Sequence, residues 1–288
     1  MKKNIELMNL FWTTAGIVPG EGEMSRFDFR DRVESAAHAG FKGIGIWHTD
    51  LEHILLHYSL NDMKSILADY GIDYLELEFL TDWFLTGGRK NESDNRKRKL
   101  LHAAEALHAK HIKVGDFYNE TCAIPRLAES FASLCKEAEE HGTSVGFELM
   151  GCAVINNIND AVTMVKTAGA KNGGIILDIY QVANLGITYD EIRTLPPEHL
   201  ISVELNDGTL PSNPNHDPSN RTFCGGGEYD LYGFIECIQA MGYAGPWAVE
   251  IISSSLSKLP LDEMNARTFS TTMASFRQQP VGILHDAE

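Results

Sequence analysis

One pattern narrows the fold of this chain more than any other: an amphipathic stretch ends at Gly or a polar pair, and a short β-type run follows. It is seen in AAHAGFKGIGIW (Ala36 to Trp47), LADYGIDYLELEF (Leu67 to Phe79) and ALHAKHIKVGDF (Ala106 to Phe117). It returns in AEEHGTSVGFEL (Ala138 to Leu149), TAGAKNGGIILDI (Thr167 to Ile179) and QAMGYAGPWAVEI (Gln239 to Ile251). Glycine just past a helix end supplies a left-handed cap, so each unit reads helix, cap, strand. The β-type runs are Ile5–Leu10, Ile44–Trp47, Tyr74–Phe79, Ile112–Asp116, Val145–Leu149, Ile175–Asp178, Ile201–Leu205 and Trp247–Ile251. Strands that alternate with helices pair in parallel through crossovers, and eight such units predict closure into a single (β/α)8 TIM barrel. An open doubly wound sheet would want a G-x-G-x-x-G turn after its first strand. Trp12 to Gly20 does not supply one.

A length of 288 residues suits one such barrel, so residues 1–288 are read as a single domain, with 280–288 a weakly ordered tail. The stretch from Gly208 to Gly227 is the longest loop, and loops of that length are more often functional than idle. Gly225-Gly226-Gly227 has no following Lys-Ser/Thr, so it is read as a turn and not a phosphate cradle.

The formal net charge of -16 speaks against nucleic acid as a partner. The only basic run, Arg96-Lys97-Arg98-Lys99, reads as a solvated helix face. Five scattered cysteines without a C-x-x-C pair give neither a disulfide framework nor a structural zinc site. No apolar run reaches the roughly 18 residues of a membrane span, and an acid at Glu6 interrupts any leader-like start, so a cytoplasmic setting is expected.

The chemistry signal lies in where the acids fall. Glu148 ends the fifth run, Asp178 the sixth, Glu204 and Asp207 close the seventh, and Glu250 ends the eighth. Each follows an apolar stretch, where an ionised carboxylate is costly unless paired or bound to a cation. In a parallel barrel all C-terminal strand ends open on one face, so acids on adjacent strands converge. Their mutual repulsion is most simply resolved by a divalent ion held by Glu148, Asp178, Glu204 and Glu250. Too few basic residues lie beside them to pair them all, although Lys113 and Arg221 could contribute.

At these residues the chain resembles the xylose-isomerase-like superfamily of sugar isomerases and epimerases. Glu148 matches the metal-ligating Glu after the fifth strand of its members, and Glu250 the Glu after the eighth. Asp178 matches the Asp after the sixth strand, with position 181 taking the place of a His. Position 204 takes the place of a ligating His after the seventh, with Asp207 three residues on. Gly225 to Asp230 and Gly242 to Gly245 resemble the glycine-rich stretch and the approach to the last strand. Two positions depart: Gln181 and Glu204 stand where members carry His. An all-oxygen donor set favours Mn²⁺ or Mg²⁺ over Zn²⁺, and Gln181 cannot shuttle a proton.

The resemblance implies a metal-dependent isomerase or epimerase of a keto-sugar or related polyol, with Glu148 and Glu250 exchanging a proton beside a carbonyl. A lyase or dehydratase on the same barrel begins with the same abstraction and is the alternative. An apurinic endonuclease is opposed by Gln181, Glu204 and the charge, and a non-catalytic binding protein would hold no divalent ion. A small carbohydrate is the expected partner, and the resemblance admits a homo-oligomer. His48, Glu78, Asp116, Gln181, Asp207 and Arg221 are candidates for substrate contact, with Asp50, Asp82 and His216 less clear. Trp12, Trp47, Trp83 and Phe117 sit near strand ends and could wall a pocket, whereas His53 and His57 read as surface residues.

Overall fold

Helix ends set the rhythm of this chain. The helix Phe29–Ala39 stops at Gly40, whose φ of +113° lies where a side chain is strained, and Ile158–Ala168 stops at Gly169 with φ of +63°. After each stop the chain turns back and enters a strand. A computed structural model describes residues 4–210 and 219–277. Its strands are β1 (Leu7–Asn9), β2 (Gly43–Trp47), β3 (Tyr74–Leu80) and β4 (His111–Val114). They continue with β5 (Ser144–Glu148), β6 (Gly173–Asp178), β7 (Leu200–Leu205) and β8 (Trp247–Val249). Each pairs in parallel with its sequence neighbours, and β1 pairs with β8, which closes an eight-stranded barrel ringed by helices. All eight expected strands are present. Asp116 and Glu250 fall just beyond the ends of β4 and β8 instead of inside them.

The apolar core lies between sheet and helices, where Phe131, Leu134 and Ala138 of the helix Ile124–Glu140 are buried. Inside the barrel the filling is mixed. Met8, Leu10 and Ala248 form a small apolar cluster, while Glu76, Glu78, His111, Lys113, Ser202 and Glu204 are also wholly buried. Long charged side chains fit because strand glycines make room. A Cβ on Gly45 would meet Glu78 Oε1 at 2.7 Å.

The seam between β1 and the last helix is polar. Asn9 Nδ2 donates to Asn265 Oδ1, Asn265 Nδ2 donates to Ser35 Oγ at 2.8 Å, and Ser35 Oγ donates to Asp262 Oδ1. This chain of bonds ties Leu261–Ser275 to β1 and to Phe29–Ala39. Among the described residues no helix is long and apolar enough to cross a membrane. The expected tail, 280–288, lies outside the described residues.

Candidate metal centre and active site

Four neighbouring strands deliver one acid each to the C-terminal face of the barrel. Glu148 and Asp178 are the last residues of β5 and β6, Glu204 is the penultimate residue of β7, and Glu250 follows β8. One oxygen from each lies within 4.8 Å of the others, and all four residues are buried. The expected convergence is therefore present.

Two cations share the space, those named from the sequence. Lys113, from β4, places Nζ 2.8 Å from Glu204 and 3.3 Å from Glu250, with Glu148 at 3.9 Å. Arg221 places one guanidinium nitrogen 2.9 Å from Asp178 and 2.8 Å from Glu250. Glu76 and Glu78 of β3 also meet Lys113, at 3.1 and 3.2 Å. Six buried acids therefore face two cations.

The titration behaviour follows. Burial pushes the Glu148 and Glu78 carboxyls up to about 8, with Lys113 opposing in both cases. Burial raises Glu204 well above the ordinary carboxylate range and raises Asp178 too. Burial also works against ionised Glu76, but Lys113 and His111 overcome it and hold that carboxyl at about 2. Lys113 is pressed down by burial and lifted further by Glu204 and Glu250, ending well above its usual value.

These donors suit a divalent ion. The four acids offer only carboxylate oxygens as donors, which hard cations prefer. Glu204 Oε2 is buried with no hydrogen-bond partner, a costly state that a coordinated cation would relieve. Asp178 is fixed by its neighbours, with Arg221 2.9 Å from Oδ2. Its Oδ1 accepts from Tyr180 N at 2.9 Å and Asn206 Nδ2 at 2.7 Å, so Oδ2 is left to face the cluster.

Above the acids opens a cavity of about 320 Å³. Its wall is a run of aromatic rings: Trp12 and Trp47 have centroids 5.2 Å apart, Trp47 and Phe79 5.7 Å, and Phe79 and Phe117 4.8 Å. Glu148, Glu250, Gln181 and Arg221 supply polar groups to its lining. The Arg221 guanidinium sits 4.4 Å over the Tyr180 ring, and its Nε has no hydrogen-bond acceptor. Gln181 accepts a hydrogen bond from Gly151 N at 3.3 Å.

Of the six residues expected to contact substrate, Gln181 and Arg221 line this cavity and four do not. His48 opens the helix His48–Ile54 and faces a separate cavity beside Arg96, Lys99 and His102. Burial, then Arg96, presses its pKa down to about 4. Glu78 points into the barrel, where Lys113 holds it. Asp116 is turned towards its own loop and accepts from Tyr118 N and Glu120 N. Asp207 accepts from Gly208 N, Gly225 N and Tyr229 N, so the triple-glycine turn wraps a carboxylate of the chain itself. Backbone N–H groups thus hold Asp116 and Asp207, Lys113 holds Glu78, and His48 faces the other cavity.

The other expectations sort in the same way. Trp83 packs in the core against Phe131 and Phe147 instead of walling the pocket. Asp50 pairs with Arg32 at 2.7 Å, and Asp82 with Arg89 at 2.6 Å. His53 and His57 stack edge to face, 5.4 Å apart. The basic run lies on the helix Gly88–Leu107, with Lys97 on Glu137 and Lys99 on Glu52. His216 lies outside the described residues. Sequence reasoning missed Phe79, Tyr180, Glu76 and His111. The last two had a signal in the alternation of Glu76 and Glu78 with Leu75 and Leu77, and of His111 and Lys113 with Ile112 and Val114.

The barrel has counterparts among known proteins. The family model described as xylose isomerase-like TIM barrel matches residues 33–277. A 3-dehydroshikimate dehydratase of Pseudomonas aeruginosa is 28% identical over 241 residues, covering 80% of this chain; the chain spans 37% of that relative's length. Among solved structures, an IolI protein with a bound zinc atom superposes with a TM-score of 0.83 at 18% identity, covering 94% of this chain and 98% of the other. A D-psicose 3-epimerase from Clostridium cellulolyticum, solved with D-tagatose, gives a TM-score of 0.70 at 15% identity, covering 95% and 99%.

Proposed function

Because the chain belongs to the xylose isomerase-like TIM-barrel family, we propose that it is a divalent-metal-dependent dehydratase of a cyclic keto-polyol carrying a carboxylate, a substrate of the 3-dehydroshikimate type. The observation that carries this reading is the wall of Trp12, Trp47, Phe79 and Phe117 over the four acids, with Arg221 in the same lining. Aromatic faces suit the flat face of a ring. An open-chain sugar would press hydroxyls against that wall without partners, which costs affinity. Arg221 has an unpaired Nε, the kind of donor a carboxylate takes. The similarity to 3-dehydroshikimate dehydratases supports the same choice.

Glu148, Asp178, Glu204 and Glu250 would hold the cation, which supplies Lewis-acid stabilisation of negative charge on the substrate's ketone oxygen. Mn²⁺ or Mg²⁺ fits the all-oxygen donors best. Glu148 and Glu250 are the two acids of the cluster that line the cavity, so they are the candidates to move protons. One takes the proton from the carbon beside the ketone. The hydroxyl on the next carbon leaves as water after accepting a proton, and the ring can then become aromatic by tautomerisation. Gln181 orients a hydroxyl, and the aromatic wall excludes bulk water.

A second reading, epimerisation, is favoured by the same pair of acids, because two carboxylates on one cavity can serve opposite faces of one carbon. The test separates the two. Protein loaded with Mn²⁺ is given 3-dehydroshikimate, and formation of 3,4-dihydroxybenzoate is followed by ultraviolet absorbance. In parallel it is given a panel of ketohexoses in deuterated water. Aromatic product supports the dehydratase. Deuterium beside a ketose carbonyl without loss of water would replace it with the epimerase.

A further inference from the structure

Beneath the candidate metal centre the barrel holds a second ring of oxygens. Glu76 and Glu78 enter from β3, Glu204 from β7 and Glu250 from the end of β8, and Lys113 Nζ sits among them. The four distances run from 2.8 to 3.3 Å, and Lys113 is wholly buried. An ammonium has three N–H groups, so four carboxylates cannot all be met. Glu78 Oε2 and both Glu204 oxygens are buried and lack a well-aligned hydrogen bond. Oxygen-only donors from several strands thus surround a nitrogen, and of the four acids only Glu250 reaches the cavity. The contacts have the length of N–H···O bonds and exceed the roughly 2.0–2.6 Å of Mg²⁺ or Ca²⁺ to oxygen.

We propose that the Lys113 ammonium is a tethered cation filling a second ion position in the barrel, so that the protein holds one divalent ion and not two. It rests on the reading of Glu148, Asp178, Glu204 and Glu250 as the site of that first ion. Glu204 and Glu250 belong to both rings. An ion bound above therefore shares two carboxylates with the ammonium below, and a second dication at that level would stand against a fixed positive charge. Removing the lysine side chain leaves Glu76, Glu78, Glu204 and Glu250 around an empty space, with Arg221 still on the far side of Glu250. That ring then takes a divalent ion of its own. Lys113 is a positioning residue in this scheme: it holds Glu204 and Glu250 for the upper ion without touching substrate, since it is absent from the cavity lining.

The test is metal stoichiometry, read without any turnover. Wild-type protein and Lys113→Ala are dialysed to equilibrium against Mn²⁺, and bound metal per chain is measured by elemental analysis. Paramagnetic resonance reports whether bound ions couple. The expected result is one uncoupled Mn²⁺ in the wild type and two coupled ions in Lys113→Ala. The double variant Lys113→Ala/Glu78→Gln, which lacks one ligand and one repelling charge, should return to one. If Lys113→Ala purifies unfolded, refolding is titrated with Mn²⁺, and it should recover with two ions per chain. Two ions in the wild type, one ion in folded Lys113→Ala, or a variant that stays unfolded at saturating Mn²⁺ would overturn the proposal. A wild type that binds none removes the upper site and the proposal with it, an outcome distinct from those three.

Discussion

Glu148 belongs to the acid cluster and lines the cavity, and burial lifts its carboxyl to about 8. Glu148→Gln keeps the volume and removes the charge. Turnover on the dehydration substrate should fall about 10²–10⁴-fold at saturating Mn²⁺, the range of a lost general base. Above pH 8, where Glu148 is ionised, the melting temperature of the metal-free variant should rise, because a buried charge is gone. A variant with turnover intact would move the base to another residue. Arg221→Met should do the opposite to stability, since it strips the partner from Asp178 and Glu250 and leaves both carboxylates buried. A loss of about 3–5 kcal/mol in denaturant unfolding is expected. The four acids were legible in the sequence because each follows an apolar run at a strand end. Which side chains would be captured locally was not. Asp116 and Asp207 look like Glu148 in sequence, but hydrogen bonds to backbone N–H groups of their own loops turn them away. Three of the four rings of the aromatic wall were legible, Trp12, Trp47 and Phe117, whereas Phe79 lines the cavity and Trp83 packs in the core.

Elements carry the next set of constraints. The segment after β7 returns to the barrel by isolated antiparallel bridges, Asp207 to Thr222 and Asn220 to Ser253, which bring Arg221 into the site. Asp207 gathers three backbone N–H groups from this segment. Asp207→Ala should leave them without acceptors, at about 1–3 kcal/mol for each that water cannot reach. Urea unfolding should show the loss, and KM should rise as Arg221 loses its support. An unchanged KM would separate the two parts. On β2, Gly45→Ala would drive a Cβ to 2.7 Å from Glu78 Oε1 and 3.0 Å from Phe11 N. Overpacking of this kind costs about 1–3 kcal/mol, to be read from the thermal midpoint. The strand count and order were legible at this scale, since every helix–glycine–strand unit in the sequence became one stave of the barrel. The charged interior was hidden because alternation along a strand does not say which face is the lumen.

The whole molecule answers to pH through the same cluster. Burial puts Glu148 and Glu78 at about 8 in the folded chain, against an ordinary value of 4.5. The folded state then binds more protons than the unfolded state between those limits, so stability of the metal-free protein falls as pH rises from about 4.5 to about 8. A bound dication would neutralise Glu148, together with Asp178 and Glu204, whose carboxyls burial also raises. Its stabilisation should therefore grow across that window, and the rise in melting temperature on adding Mn²⁺ should be larger at pH 8 than at pH 5. Equal gains at both values would show that Glu148 does not bear the ion. The polar chain from Asn9 through Asn265 and Ser35 to Asp262 has a consequence for how the barrel comes apart. Prying β1 from its neighbours would strand buried amides in a dry seam, so the molecule has no cheap place to unzip. Deuterium uptake at the amides of β1 and β8 should thus proceed only through complete unfolding, in step with the slowest-exchanging staves.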